Sequence, residues 1–284
     1  MQAVFLPLLG VLVAAGVAAP LAAQEFPQFG DDLYRPRLRQ PGKDVMWLPT
    51  PDAMVERMLR MAKTTSADVV YDLGAGDGRL PIVAAKEFGA TAVGIEYDPD
   101  MANLCRENAA KEGVSDKAEF RQADIFETDF SAATVLTMYL LPSLNMKLRP
   151  TILEMKPGTR VVTHSFLMED WEPDQSVLVD GRNAYLWIVP AKVEGEWVWT
   201  ENGGEAVLSL TRTFQKIGGN LKVGNRESSL KSPLLEGDRI TFSMDGNPTG
   251  TREFSGRVNG DVIRGTMKGS DGKTVEWSAK RKAA

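Results

Sequence analysis

The sequence predicts an α/β domain built on a doubly wound, mostly parallel sheet, followed by a small antiparallel all-β domain, either a barrel or a sandwich. Three observations carry that expectation. Short apolar runs alternate with helical patterns from residue 68 to residue 190. One run, Val69-Val70-Tyr71-Asp72-Leu73, opens into Gly74-Ala75-Gly76-Asp77-Gly78-Arg79, a strand, a tight turn and a helix start in succession. Past Pro190 the long helical patterns stop, and period-two alternation with Gly-containing turn pairs takes over.

Taken in order, residues 3–23 carry no charge and are mostly Ala, Val and Leu. They read as a signal peptide cleaved after Ala19 or Ala23, or as a membrane anchor. Export to a periplasm, or membrane association through the N-terminus, is the expectation. Residues 24–44, with Pro27, Pro36 and Pro41, read as a linker or arm. Thr50 is placed to cap a helix over 51–63 with Pro51 at its first position, and all its apolar residues but Met61 fall on one stripe. Strands follow at 68–72, 91–96, 118–122, 134–139 and 160–166, with a last pair at 176–179 and 184–189. Helices are expected at 79–88 and from Pro99 to about residue 112, capped by Asp98. A helical stretch from Ser143 should be interrupted by Pro150. Residues 45–190 thus form the α/β domain.

Residues 191–284 should hold seven or eight antiparallel strands. The hairpin signals are Gly218-Gly219, Glu236-Gly237, Asp245-Gly246, Asn259-Gly260 and Asp271-Gly272. The two halves differ in charge: residues 24–190 have 18 basic against 26 acidic residues, and 191–284 have 15 against 12. A net charge of −5 excludes broad nucleic-acid binding as an expectation. Cys105 is the sole cysteine and His164 the sole histidine, so an intrachain disulfide and a His-based metal cluster are both excluded.

The glycine turn is the chemical centre. Its spacing departs from the dinucleotide fingerprint, because Arg79 stands where the third glycine of G-x-G-x-x-G belongs. Asp72 at the mouth of the turn would repel a pyrophosphate, but it would anchor a ligand with a cationic end. A second acid, Glu96, ends the next strand about twenty residues on, where it can accept two ribose hydroxyls. The stretch Asp72-Leu73-Gly74-Ala75-Gly76-Asp77-Gly78 closely resembles motif I of class I methyltransferases that use S-adenosylmethionine (SAM). Leu48-Pro49-Thr50-Pro51, Tyr139-Leu140-Leu141-Pro142 and Trp171-Glu172-Pro173-Asp174 extend the likeness. Together they resemble bacterial relatives of the ATP synthase c-subunit lysine methyltransferase family over residues 45–190.

The resemblance implies a seven-stranded Rossmann-like sheet with an antiparallel final strand, SAM as cofactor and N-methylation of a protein lysine. The candidate contacts are Asp72 for the ammonium, Gly74, Gly76 and Gly78 for close backbone approach, Glu96 for the ribose and Asp124 for the adenine amino group. Ile125 or Phe126 would pack on the adenine face. Tyr139 is the substrate-side candidate at the end of the fourth strand. His164 is either a base or a hydrogen-bonded structural residue, and Trp171 either lines a pocket or covers the sheet edge. Two alternatives stay open: a small-molecule N- or O-methyltransferase, and a non-catalytic exported binding protein acting through its β domain.

Overall fold

The computed structural model describes residues 36–44, 46–201, 203–245 and 250–283. The signal or anchor segment, most of the arm and Gly246 of one turn pair lie outside them. Among the described residues no helix is long and apolar enough to cross a membrane.

The first domain is a seven-stranded sheet flanked by helices. Its strands are β1 (Val69–Leu73), β2 (Thr91–Glu96), β3 (Ala118–Gln122), β4 (Val135–Met138), β5 (Arg160–His164), β6 (Gln175–Val179) and β7 (Arg182–Ile188). They lie in the order β3-β2-β1-β4-β5-β7-β6. Every pairing from β3 to β5 is parallel, and β7 runs antiparallel to both β5 and β6. The order reverses beside β1, so the carboxyl ends of β1, β2 and β4 open onto one crevice. The helices are α1 (Asp52–Met61), α2 (Arg79–Phe88), α3 (Pro99–Lys111) and α4 (Pro142–Leu153). Asp98 caps α3 as its sequence position demands, accepting from the amides of Asp100 and Met101.

Three local expectations are corrected. Thr50 does not cap α1; Pro51 is the N-cap, and the Thr50 hydroxyl meets His164 Nδ1 at 3.2 Å. A buried imidazole needs a partner more than a solvent-facing helix end does. Met61 is buried with Met54, Val55, Met58 and Leu59, because the helix packs on α2 and also over β5, β6 and β7. Pro150 does not interrupt α4. Leu148 and Ile152 on either side are buried, and the Arg149 side chain donates to the Met168 carbonyl and pairs with Asp170, so packing outweighs one lost helical hydrogen bond. The hairpin between β6 and β7 turns at Asp180-Gly181, with φ values of 48° and 77°.

The second domain is one nine-stranded antiparallel sheet among the described residues, not seven or eight strands. Its strands run from β8 (Gly195–Glu201), β9 (Gly204–Thr213), β10 (Lys216–Val223), β11 (Arg226–Ser229) and β12 (Lys231–Glu236) to β13 (Arg239–Asp245), β14 (Thr251–Asn259), β15 (Val262–Lys268) and β16 (Thr274–Arg281). The order β11-β10-β9-β8-β16-β15-β14-β13-β12 curls into a nearly closed barrel around Trp197, Leu208, Phe242, Phe254 and Trp277. Gly218-Gly219 is not a turn: both residues sit inside β10, where a Cβ on Gly219 would lie 2.0 Å from the Ser209 carbonyl oxygen.

The two domains are locked together. Trp171 is fully buried, stacks on Phe214 of the β9–β10 turn at 5.8 Å and donates its indole N–H to Gln215 Oε1 at 3.0 Å. It therefore joins the two sheets rather than merely covering an edge. Gly237 and Gly158 also approach backbone to backbone, and the Ala191 amide donates to the Gly237 carbonyl.

The β14–β15 pairing sets two glycines opposite each other, Gly256 and Gly265. A Cβ at Gly265 would stand 1.9 Å from the Ser255 carbonyl oxygen. Gly265→Ala is expected to destabilise the protein by on the order of 3 kcal/mol in denaturant unfolding, by overpacking a site with no room to relax. A loss below about 0.5 kcal/mol would show that the strands spread freely there.

Candidate active site

A cavity of about 390 Å³ opens at the carboxyl ends of β1, β2 and β4. Asp72, Gly74, Gly76, Glu96, Asp124, Ile125 and Tyr139 all line it, from four separate segments of the chain. Gly78 does not. Its φ is +83°, and an added Cβ would sit 2.9 Å from the Phe120 ring and 3.1 Å from Cys105. The third glycine thus lets the start of α2 settle against β3 and α3 rather than exposing backbone to a ligand.

Asp72 is 6% exposed. In the β1–β4 register it lies opposite Thr137, whose hydroxyl donates to Asp72 Oδ1 at 2.7 Å. Burial pushes the Asp72 carboxyl up to about 7, reinforced by the nearby charges of Glu96 and Asp77, while the Thr137 hydrogen bond pulls the other way. Among the described residues no cation pairs with it. Glu96 is half-buried, and burial raises its carboxyl too. One of its oxygens accepts the Gly76 amide at 2.8 Å and the other the Asp98 amide at 3.1 Å. Glu96 thereby shapes the glycine turn from the neighbouring strand and keeps lone pairs for further donors.

Asp77 and Arg79, which sequence reading left without a role, form the brace under the turn. Both are 5% exposed. Arg79 donates from Nε and Nη2 to Asp77, and from Nη1 to the Thr50 carbonyl at 3.0 Å. The Asn108 side chain holds the Asp77 carbonyl at 2.9 Å. The pair fixes the turn to α3 and to the approach to α1. Cys105 is fully buried, and its thiol donates to the Gly76 carbonyl at 3.2 Å.

At the other end, Asp124 accepts the Phe126 amide at 2.9 Å and pairs with Lys43. The Lys43 ammonium and the Phe126 amide hold its carboxyl below the usual carboxylate range. Ile125 faces the cavity, whereas Phe126 lies under Lys147, 3.5 Å from its ring centroid. Tyr139 packs on His164 with ring centroids 3.9 Å apart and tilted by 37°, and stacks on Phe166 at 6.1 Å. His164 is fully buried and does not line the cavity, and among the described residues its Nε2 has no partner. Burial lowers its imidazole to about 4, so it is neutral at pH 7 and positions the Tyr139 ring rather than meeting a ligand.

The model of the ANTKMT methyltransferase domain matches residues 72–175. A protein-lysine N-methyltransferase of Saccharolobus islandicus is 42% identical over 151 residues, which cover 51% of this chain and 94% of that protein. The chain belongs to this family of SAM-dependent methyltransferases. A solved RNA methyltransferase from Salinibacter ruber, in complex with S-adenosyl-L-homocysteine, is 52% identical with a TM-score of 0.51, covering 51% of this chain and 96% of that one. The mouse ATP synthase c-subunit lysine N-methyltransferase is 32% identical over 131 residues; the chain spans 52% of its length.

SAM supplies a methyl group already activated by its sulfonium. The methyltransferase's cavity suits this cofactor on its own chemistry: a buried carboxylate wanting a cation, a second acid with spare lone pairs, and a glycine turn with positive φ at Gly74 and Gly76. What the residues must add is alignment and exclusion of water.

Asp72→Asn should separate function from stability. The folded carboxyl lies above the ordinary value of 3.8, so the folded state binds the extra proton, and stability is lost as pH rises from about 4 to about 7. Removing the carboxyl is expected to raise the melting temperature at pH 7.5, with the gain vanishing near pH 4, while SAM affinity falls by at least about tenfold. Calorimetry and thermal melts measure both; an unchanged affinity would remove Asp72 from the site. Arg79→Ala should cost about 3–5 kcal/mol, because it leaves the Asp77 charge buried and unpaired. A denaturation curve like that of the wild type would contradict the brace.

Proposed function

We propose that this methyltransferase transfers the methyl group of SAM to the side-chain amine of a protein lysine, with Asp72, Glu96, Asp124 and the Gly74–Gly76 turn holding the cofactor and Tyr139 receiving the acceptor. The observation that carries the acceptor is the wall beyond Asp72. Met138, Leu140, Leu141, Leu144 and Phe166 line it, and Tyr139 sets a half-buried phenol among them. A lysine has a reference pKa of about 10.4 and must lose its proton before it attacks. An apolar wall disfavours the ammonium form, and an aromatic face steers what charge remains. The neutral His164 behind Tyr139 adds no repelling cation. The Saccharolobus relative, a protein-lysine enzyme covered almost end to end, supports the same acceptor.

The Salinibacter structure, an RNA methyltransferase, favours a second reading. Charge weighs against it here: residues 24–190 carry 26 acidic against 18 basic side chains, a poor surface for a polyanion. A small acceptor would call for a closed pocket, whereas Leu48 and Leu141 stand 38% and 43% exposed at the cavity wall, as an approaching protein surface would require.

The test is methyl transfer from labelled SAM to a mixture of lysine-containing proteins and RNA, read by mass spectrometry. Methylated lysine is expected, and Tyr139→Ala should lower kcat/KM by about 10- to 100-fold, a loss of roughly 1.4–2.8 kcal/mol in transition-state stabilisation. Label confined to RNA would overturn the lysine assignment.

A further inference from the structure

The cavity's walls are not all drawn from the sheet. Lys43 and Trp47, on the stretch leading to α1, also line it, and both lie outside the residues 72–175 matched by the family model. The stretch is tied to itself: the Arg39 amide donates to the Trp47 carbonyl at 2.9 Å, and the Trp47 amide to the Gln40 carbonyl at 3.0 Å. Two side chains reach from it across the crevice, one to each end.

Trp47 lies on the glycine turn. A Cβ built on Gly76 would stand 2.8 Å from the indole Nε1, so Gly76 serves the indole as much as the ligand. Among the described residues that indole N–H has no hydrogen-bond partner, although Trp47 lines the cavity. Lys43 pairs with Asp124, and its Nζ is 4.7 Å from the centroid of the Tyr97 ring. Tyr97 is 50% exposed, a large aromatic face between Glu96 and Asp98 in the chain, and all three line the cavity. The Lys43 ammonium bridges that face and Asp124, and Ile125 next to Asp124 lines the same cavity. Asp124 keeps lone-pair capacity after accepting from Lys43 and Phe126, so the pair does not bar a further donor.

We infer that Trp47 and Lys43 are cofactor-binding residues, the indole closing the cavity over the glycine turn and the ammonium closing it between Tyr97 and Asp124. The inference rests on the placement of the cofactor in this cavity. It gives the segment before α1, read from sequence as a linker or arm up to residue 44, a share in the site.

The test is binding of S-adenosylhomocysteine to the full chain and to Trp47→Phe, Trp47→Ala and Lys43→Ala, with tryptophan fluorescence as a second readout. Trp47→Ala should weaken binding roughly five- to tenfold, the scale of a lost aromatic contact, and Trp47→Phe less. Trp47→Phe should also remove most of the ligand-induced emission change, which a merely structural residue would leave in place. Lys43→Ala should weaken binding by about threefold, with the difference shrinking at high salt. Unchanged affinities in variants that melt like the wild type would overturn the inference. Tighter binding by Lys43→Ala would overturn it too, marking Lys43 as a plug that the ligand displaces. A wild type that binds no S-adenosylhomocysteine would overturn the cofactor placement together with it.

Discussion

The site depends on one carboxyl group taken out of water. Asp72 sits where β1 ends, and the strand order that buries β1 in the middle of the sheet also buries the acid. Burial raises the carboxyl to about 7, and the neighbouring charges of Glu96 and Asp77 push in the same direction. Among the described residues the Thr137 hydroxyl, brought opposite by the β1–β4 register, alone favours the charged form. A site prepared in this way gains most from a ligand that brings its own positive charge and least from an anion. The same features that make the position costly for the empty protein make it selective for a cationic ligand.

Holding that acid at the edge of a cavity needs a rigid turn, and the chain provides it from several directions. Glu96 fixes the Gly76 amide from β2, Arg79 and Asp77 brace the turn from below, and Asn108 ties the Asp77 carbonyl to α3. The Glu96 and Asn108 contacts join segments far apart in sequence, so the turn is set by the sheet and its helices together. The barrel sits away from this machinery but not apart from the domain. It is held through Trp171, Phe214 and Gln215, next to the segment that carries His164 and Phe166 behind Tyr139.

Much of this could be read from the chain. The α/β alternation, the glycine turn, Glu96 and the Asp98 cap are local patterns with local causes, and the structure places them where their spacing demands. The failures are cases of tertiary choice. Thr50 had two possible partners, and a buried imidazole 114 residues away took it. Gly78 and Gly218-Gly219 belong to glycine patterns that usually mean ligand access or a turn, but here they make room for Phe120 and for a neighbouring strand. Thr137 was invisible because nothing in its own surroundings in sequence announces that it faces Asp72; only strand register does. The part played by Lys43 and Trp47 was hidden for the same reason, since proline-rich flanks look alike whether they cross a site or solvent.

The most direct measurement is calorimetric titration of the cofactor between pH 5.5 and 7, in two buffers of different ionisation enthalpy. That range keeps the ligand's α-amino group charged. If the ammonium is received by Asp72, affinity should rise about tenfold across the range, and binding at pH 5.5 should release about one proton. An affinity that stays flat, with no proton released, would contradict the account and place the cationic end of the ligand elsewhere.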